Sequence, residues 1–119
     1  MNSLVWIIQI LLAGLYLYSG TCKSLLSQQA LVAVGQTGAE AVSMRVTRFI
    51  GVIEILGAAG LILPMALNVM PKLTPLSAVG FSIIMILAAR LHYHRHETKN
   101  VVFNILLFFL CALVAWYRF

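Results

Sequence analysis

The chain has 119 residues, 62% of them hydrophobic and 9% charged, with a formal net charge of +5. Soluble domains carry about 25% charged residues, so the eight basic and three acidic side chains cannot cover a water-exposed surface. This composition excludes an ordinary cytosolic enzyme and a disordered tail. It also excludes a nucleic-acid-binding domain, since no basic run with interleaved aromatic residues is present. The composition instead predicts an integral membrane protein that is embedded in, and contacts, the lipid bilayer.

Four apolar stretches follow one another along the chain, at about residues 4–20, 49–67, 76–91 and 101–117. Each is close to the minimum of about 17 residues that a helix needs to cross the hydrocarbon core. They lack the alternation of barrel strands, and backbone groups in lipid must be paired, so helices are expected. The first stretch has no Lys or Arg before it, which favours a retained helix over a signal peptide. The predicted fold class is all-α, a polytopic antiparallel bundle of four transmembrane helices in one domain over residues 1–119.

The connections between these stretches differ in charge and predict the orientation of the chain. The connection over residues 21–48 has a semi-apolar middle, which we expect to lie on the membrane surface as a short helix or a re-entrant turn. Together with the polar connection over residues 90–100 it holds six of the eight Lys and Arg residues, whereas Lys72 and Arg118 lie on the other side. The positive-inside rule then predicts both connections in the cytoplasm and both termini outside, in a cell membrane.

Glu54 is the only acidic residue inside a predicted span. It lies six residues, roughly 9 Å, past Arg48, at a depth where an unpaired carboxylate costs a few kcal/mol. A spacing of six corresponds to about 240° around a helix, so Arg48 does not share the face of Glu54. The partner is therefore expected from another helix, and Lys23, Arg90 and His92 are the candidates at the same level.

A polar stripe and several small residues surround this position. On the first helix Gln9, Tyr16 and Lys23 recur every seven residues and predict one face turned toward Glu54, while Asn104 begins the last helix on the same side. Small residues near Glu54 let a second helix approach closely. The polar-cluster or ligand-pocket candidates are Lys23, Arg48, Glu54, Arg90, His92, Tyr16, Gln9 and Asn104, and the structural packing candidates are Gly51, Gly57, Ala58 and Pro64.

Two interpretations of this cluster stay open. It is either a buried polar site for a proton, a quinone headgroup or another amphiphile, or a structural ion pair that fixes helix register. In the first interpretation Glu54 accepts or passes on a proton. Lys23 or Arg48 then binds an anionic or carbonyl oxygen, and His92 tunes Glu54.

The third connection is rich in histidine and invites comparison with a metal site. His92 and His96 have the i, i+4 spacing of helical ligands, with His94 and Glu97 nearby. No Cys pair and no H-E-x-x-H motif accompanies them. We therefore expect a basic, pH-sensitive segment in contact with anionic headgroups, and neither a metal nor a haem.

The two cysteines and the scarcity of acids limit the chemistry that the chain can perform. Cys22 and Cys111 lie at different predicted depths, and a disulfide needs Cα atoms within about 7 Å, so two free thiols are expected. No Ser/His/Asp or Cys/His constellation is visible. The sequence therefore leaves open whether the protein is an enzyme.

Three segments carry a resemblance to a known family. They are S-G-T-C-K at residues 19–23, R-F-I-G-V-I-E-I-L-G-A-A-G-L-I-L-P at residues 48–64, and A-A-R-L-H at residues 88–92. Together they resemble the DoxX-like family of small four-helix membrane proteins, over roughly residues 4–117. The pattern R-x-x-G-x-x-E-x-x-G-A-x-G-L-x-x-P is the most specific element. The positions that match the family's recurrent residues are Lys23, Arg48, Gly51, Glu54, Gly57, Pro64 and His92.

The resemblance implies a membrane-embedded four-helix bundle and, more loosely, a function. The family is named after a subunit of an archaeal thiosulfate:quinone oxidoreductase, other members are linked to redox-stress complexes, and distant eukaryotic relatives assist receptor assembly. It implies a quinone- or lipid-interacting subunit associated with an oxidoreductase system, assembled as a homo-oligomer or with a partner membrane subunit. The alternatives are a non-catalytic scaffold or assembly factor whose polar cluster is structural, and a small transporter, which would require dimerisation.

Overall fold

The computed structural model describes residues 1–119 as helices joined by short turns, without a β-strand. The four long helices are long and apolar enough to cross a membrane, which confirms the all-α bundle of four membrane spans. A short α-helix and one 3-10 helix lie between the first two spans. The elements are α1 (Asn2–Leu25), α2 (Gln28–Ala33), the 3-10 helix (Thr37–Glu40), α3 (Met44–Ala66), α4 (Leu73–His94) and α5 (Thr98–Arg118).

The helices run past the apolar stretches because hydropathy marks only the part that lies in hydrocarbon. The helix α1 continues to Leu25 and α3 begins at Met44, so several polar residues of the first connection are helical. The start of α3 is fixed by Ser43, whose Oγ accepts a hydrogen bond from the backbone N–H of Val46 at 3.2 Å. The connection between α1 and α3, which was expected over residues 21–48, therefore covers only residues 26–43.

The bundle is built from two tightly packed helix pairs. The helix α1 packs along α3, and α4 packs along α5, whereas the contacts between α3 and α4 and between α1 and α5 are looser. The main apolar core lies in the half of the bundle that holds the termini. At its centre the rings of Tyr16 and Phe81 stack with their centroids 3.8 Å apart. Cys22 and Cys111 are both buried and free, which confirms the prediction of two thiols.

Glycines set the separation of the two helices that carry the ionisable cluster. A Cβ atom on Gly51 of α3 would lie 2.8 Å from the carbonyl oxygen of Gly20 on α1 and 2.8 Å from the Cβ of Lys23. A Cβ atom on Gly57 would lie 2.5 Å from the ring of Phe81. The other two packing candidates differ from these glycines, because Ala58 is a buried core residue and Pro64 lies inside the C-terminal part of α3.

The substitution Gly51→Ala should push α1 and α3 apart. We expect it to lower the free energy of unfolding by about 1–3 kcal/mol, the usual cost of overpacking. Thermal unfolding in detergent, followed by circular dichroism, measures the effect. Gly80→Ala on α4 is the matched control, since a Cβ atom there meets nothing within 4 Å. Equal unfolding temperatures for the two variants would contradict the close contact.

Candidate functional site

The only ion pair inside the bundle joins Lys23 of α1 to Glu54 of α3. The Lys23 Nζ lies 2.7 Å from Glu54 Oε1, and the side chain of Glu54 is only 2% exposed whereas that of Lys23 is 24% exposed. Ser19 lies one helical turn before Lys23 on the same face. Its hydroxyl oxygen accepts a hydrogen bond from Lys23 Nζ at 2.8 Å, and its single proton points between the two Glu54 oxygens, at 3.2 and 3.3 Å. Of the three partners considered for Glu54, Lys23 is the one that contacts it.

Arg48 contributes to this region through the backbone and not through the carboxylate. Its Nη1 donates a hydrogen bond to the carbonyl oxygen of Lys23 at 2.8 Å. That carbonyl lies in the last turn of α1, where helix geometry provides no intrahelical donor. Arg48 therefore terminates α1 and holds the backbone that carries Lys23, and it does not contact Glu54, in line with their six-residue spacing.

His92 contacts a different acid. Its Nδ1 lies 2.7 Å from Glu97 Oε1. Arg95 connects Glu97 with Glu40: its Nε lies 3.3 Å from Glu97 Oε1, and its Nη2 lies 2.9 Å from Glu40 Oε1. We call these four residues the polar latch, since they tie the 3-10 helix to the turn between α4 and α5. His92 lines the same cavity as Glu54, but its Nδ1 contacts Glu97 and no hydrogen bond or ion pair joins it to Glu54. Arg90 is exposed on the outside of α4.

The first connection folds over this end of the bundle as a cap, which we define as residues 27–42. Leu31 and Ala39 of the cap are buried with Cys22 in a second small core. The cap is stiffened from within by Gln28, whose Nε2 donates to the carbonyl oxygen of Ala39 at 3.0 Å. Asn100 of α5 reaches the cap through Thr37 Oγ1 at 3.4 Å. Of the two forms expected for this connection, a short helix or a re-entrant turn, the structure has the short helix α2, followed by the 3-10 helix.

A cavity of about 550 Å³ lies between the cap and the four spans. Lys23, Glu54 and Ser19 form one wall, and Tyr16 also lines the cavity. Two amide groups that line it have buried polar atoms without a partner, Asn104 Nδ2 and Gln36 Oε1. Asn104 is only 8% exposed. Buried polar groups in proteins are almost always hydrogen-bonded, so these two atoms mark the cavity as a place where a polar molecule can bind.

Gln9 belongs to the opposite end of the bundle. Its Nε2 donates to the carbonyl oxygen of Leu61 at 2.6 Å, and its Oε1 accepts from Arg118 Nε at 2.7 Å. The guanidinium of Arg118 also lies over the rings of Trp6 and Tyr117, with its Cζ 5.2 and 5.3 Å from their centroids. Gln9 shares a helix face with Lys23 but does not line the cavity.

Sequence reasoning missed the cap residue Gln36 and the outer acid Glu40. Gln36 lies in a segment without apolar periodicity, and Glu40 is separated from Arg95 by 55 positions along the chain. No local signal connects either residue with its surroundings. His92 and Glu97 do flank a tight turn, in which His96 has a positive φ of 60°, so their pairing is the one part of the latch with a local signature. No group of three or more His, Cys, Asp and Glu is arranged to hold a metal ion.

The Lys23–Glu54 ion pair should respond to substitution of one partner as a buried ion pair does, with a large loss of stability. We expect Lys23→Met to lower the free energy of unfolding by about 3–5 kcal/mol, because it leaves the Glu54 carboxylate buried without a partner. The double variant Lys23→Met/Glu54→Gln should recover most of this loss, since no charge then remains to be compensated. Denaturant unfolding of the wild type, both single variants and the double variant measures the coupling. Additive losses would show that the two side chains do not stabilise one another.

The polar latch should make the free energy of unfolding depend on pH in the acidic range. Hydrogen bonds from His92 and Thr37, with Arg95 nearby, hold the pKa of the Glu97 carboxyl at about 2, below its usual value of 4.5. A carboxyl with a lowered folded-state pKa stabilises the protein above its unfolded pKa, and this contribution is lost as the pH falls toward the folded pKa. The unfolding temperature of Glu97→Gln should therefore lie below that of the wild type at pH 7. The gap should close between about pH 4.5 and 2. A gap that stays constant over this range would contradict the assignment.

Comparison with known proteins gives one family match. The model of the DoxX-like family matches residues 7–114, which include every residue of the ion pair, the cap and the cavity. No curated protein and no solved structure matches the chain. With the match covering nearly all of the four membrane-spanning helices, the chain belongs to the DoxX-like family.

Proposed function

We propose that this protein binds an amphiphilic small molecule, of the quinone or lipid-like class, in the cavity beneath the cap. In this proposal it serves as a membrane subunit of an oxidoreductase system. The observation that carries the proposal is a cavity with an ion pair on its wall and two buried amide groups that lack partners. A molecule in the cavity that supplies hydrogen bonds to these two amide atoms would gain binding energy there, since a buried polar atom left without a partner costs about 1–3 kcal/mol.

The size and lining of the cavity suit such a ligand. Its volume of about 550 Å³ lies within the range of about 300–1,000 Å³ that is typical of small-molecule sites. Fifteen of the 25 lining residues are hydrophobic, and eight carry polar side chains. This distribution is what a ring or headgroup with a small number of oxygens requires.

The polar groups offer specific hydrogen bonds to a headgroup. The Lys23 ammonium has three donors, and two of them are used by Ser19 and Glu54. The third donor and Asn104 Nδ2 are free to bind a carbonyl or anionic oxygen, while Gln36 Oε1 is free to accept from a hydroxyl group. Glu54, held by Lys23 and Ser19, is the group that exchanges a proton with the ligand. Electron transfer belongs to a partner subunit in this proposal.

Asn104→Leu gives a test in which stability and binding should move in opposite directions. Removing an unsatisfied buried amide should leave the unfolding temperature of the ligand-stripped protein unchanged or raise it, and stripping both proteins removes the stability that a bound ligand adds. Removing a ligand hydrogen bond should at the same time weaken retention of the amphiphile by about fivefold to thirtyfold, equivalent to 1–2 kcal/mol. Thermal unfolding and mass spectrometry of organic extracts from the detergent-purified protein measure the two effects. Ser82→Ala is the control, since Ser82 is buried on α4 but does not line the cavity.

Glu54→Gln adds a second arm to the same experiment. A ligand site predicts a co-purifying amphiphile in the wild type that is lost or weakened in Glu54→Gln while the fold is kept. A non-catalytic scaffold predicts no specific amphiphile in any sample, whereas some loss of stability in this variant follows from the broken ion pair under either hypothesis. A lower unfolding temperature for ligand-stripped Asn104→Leu would also contradict the proposal, because Asn104 would then have a structural partner.

A further inference from the structure

The hydrogen bonds between α1 and α5 all lie between Tyr16 and the termini. Arg118 bonds Asn2 and Gln9 there, and Tyr16 Oη lies 3.6 Å from Cys111 Sγ. No hydrogen bond joins the two helices between Tyr16 and the cap. Along that interval the cavity lies between them, with Leu15, Tyr18 and Ser19 on the α1 side and Phe103, Asn104 and Leu107 on the α5 side.

Two aromatic residues line the cavity and are also open to the outside. Tyr18 on α1 is 57% exposed and Phe103 on α5 is 47% exposed. Tyr18 lies seven residues, roughly 10 Å, before the end of α1, and Phe103 lies five residues, roughly 8 Å, into α5. Both are therefore on the parts of the helices that are surrounded by lipid. Exposed side chains that line the cavity from both of two loosely packed neighbouring helices indicate a lateral opening between those helices.

The cap covers much of the cavity on the side that faces water, although Val34 of the cap and Leu87 of α4 also line the cavity and are 47% and 61% exposed. Toward water, the cap is held by its own buried residues Leu31 and Ala39 and by the polar latch. Beside α4, the 3-10 helix packs so closely that a Cβ atom on Gly38 would lie 3.3 Å from Leu91 Cδ2 and 3.8 Å from His92 Cε1. The side between α1 and α5 has no comparable cover.

We infer that the cavity is entered from the bilayer, through a portal between α1 and α5 flanked by Tyr18 and Phe103. The occupant is a molecule with one long hydrocarbon chain that remains in the portal while its headgroup reaches Lys23 and Asn104. This inference rests on the proposed function for the nature of the headgroup, but the route of entry is a property of the protein alone. The distribution of polarity supports it, because the ion pair and the free amides lie inside while Leu15, Phe103 and Leu107 line the way out.

The route can be measured without knowing the natural ligand. Asn104→Cys is introduced into the chain with Cys22→Ala and Cys111→Ala, and the protein is reconstituted in liposomes. Two reagents with the same reactive group are compared, decyl methanethiosulfonate from the bilayer and sulfonatoethyl methanethiosulfonate from water. Phe109→Cys, on the lipid-facing side of α5, and Gln29→Cys, exposed on the cap, are the reference thiols for the two reagents. Mass spectrometry of the intact protein gives the labelling rates.

We expect the thiol at position 104 to react with the decyl reagent within about tenfold of the Phe109→Cys rate. With the charged reagent it should react at least about a hundredfold more slowly than Gln29→Cys, a difference of about 2.8 kcal/mol in barrier. Adding Phe103→Trp should slow the decyl reaction about tenfold by narrowing the portal. Adding Leu87→Trp should not, although Leu87 also lines the cavity and is exposed on α4.

Three results would overturn the inference. Faster labelling by the charged reagent would place the entrance at the cap, and slowing by Leu87→Trp instead of Phe103→Trp would place it beside α4. Equal rates in all tryptophan variants would mean that no portal limits access. If Asn104→Cys does not fold, Leu107→Cys replaces it, since Leu107 lines the same cavity. If the purified wild type retains no amphiphile but the thiols are labelled as expected, the proposed function is refuted and the inferred portal is still supported.

Discussion

Placing the Glu54 carboxylate inside a lipid-embedded bundle constrains most of what surrounds it. A charge at that depth requires a partner, and the 2.7 Å contact with Lys23 requires α1 and α3 to approach at the level of the pair. The glycines Gly20 and Gly51 permit this approach, since each would place a Cβ atom within 3 Å of the other's carbonyl oxygen. Arg48 then terminates α1 by binding the carbonyl of Lys23. The ion pair, the glycine contact and the helix end are therefore one interdependent feature.

The two halves of the bundle are packed in different ways. The half with the termini is filled by apolar side chains and the stacked rings of Tyr16 and Phe81. The half beneath the cap is left partly empty, and it is there that Asn104 and Gln36 have buried atoms without partners. Interiors are normally close-packed and satisfied. Local departures from both rules at one place are characteristic of binding sites, where the ligand supplies the missing contacts.

Much of this arrangement could be predicted from the sequence, and the parts that could not have physical reasons. The composition and the four apolar stretches indicate four helices in lipid. The angular offset of Arg48 from Glu54 indicates that another helix supplies the partner of Glu54, and Lys23 of α1 is that partner. Arg90 and His92 are two positions apart, about 200° around a helix, so only one of them could face inward. Gln9 shares a face with Lys23 but lies 14 residues, roughly 21 Å, away along the axis, which puts it at the other end.

The cap and the free hydrogen-bonding atoms are beyond sequence reasoning because they depend on contacts between distant segments. The free hydrogen-bonding atoms are also what the proposed ligand site rests on. Lys23 has one of its three donors left after binding Ser19 and Glu54. Asn104 offers a second donor in the same cavity. Structural ion pairs are poor contributors to stability, so keeping these atoms free beside a buried carboxylate favours a polar headgroup as the missing partner.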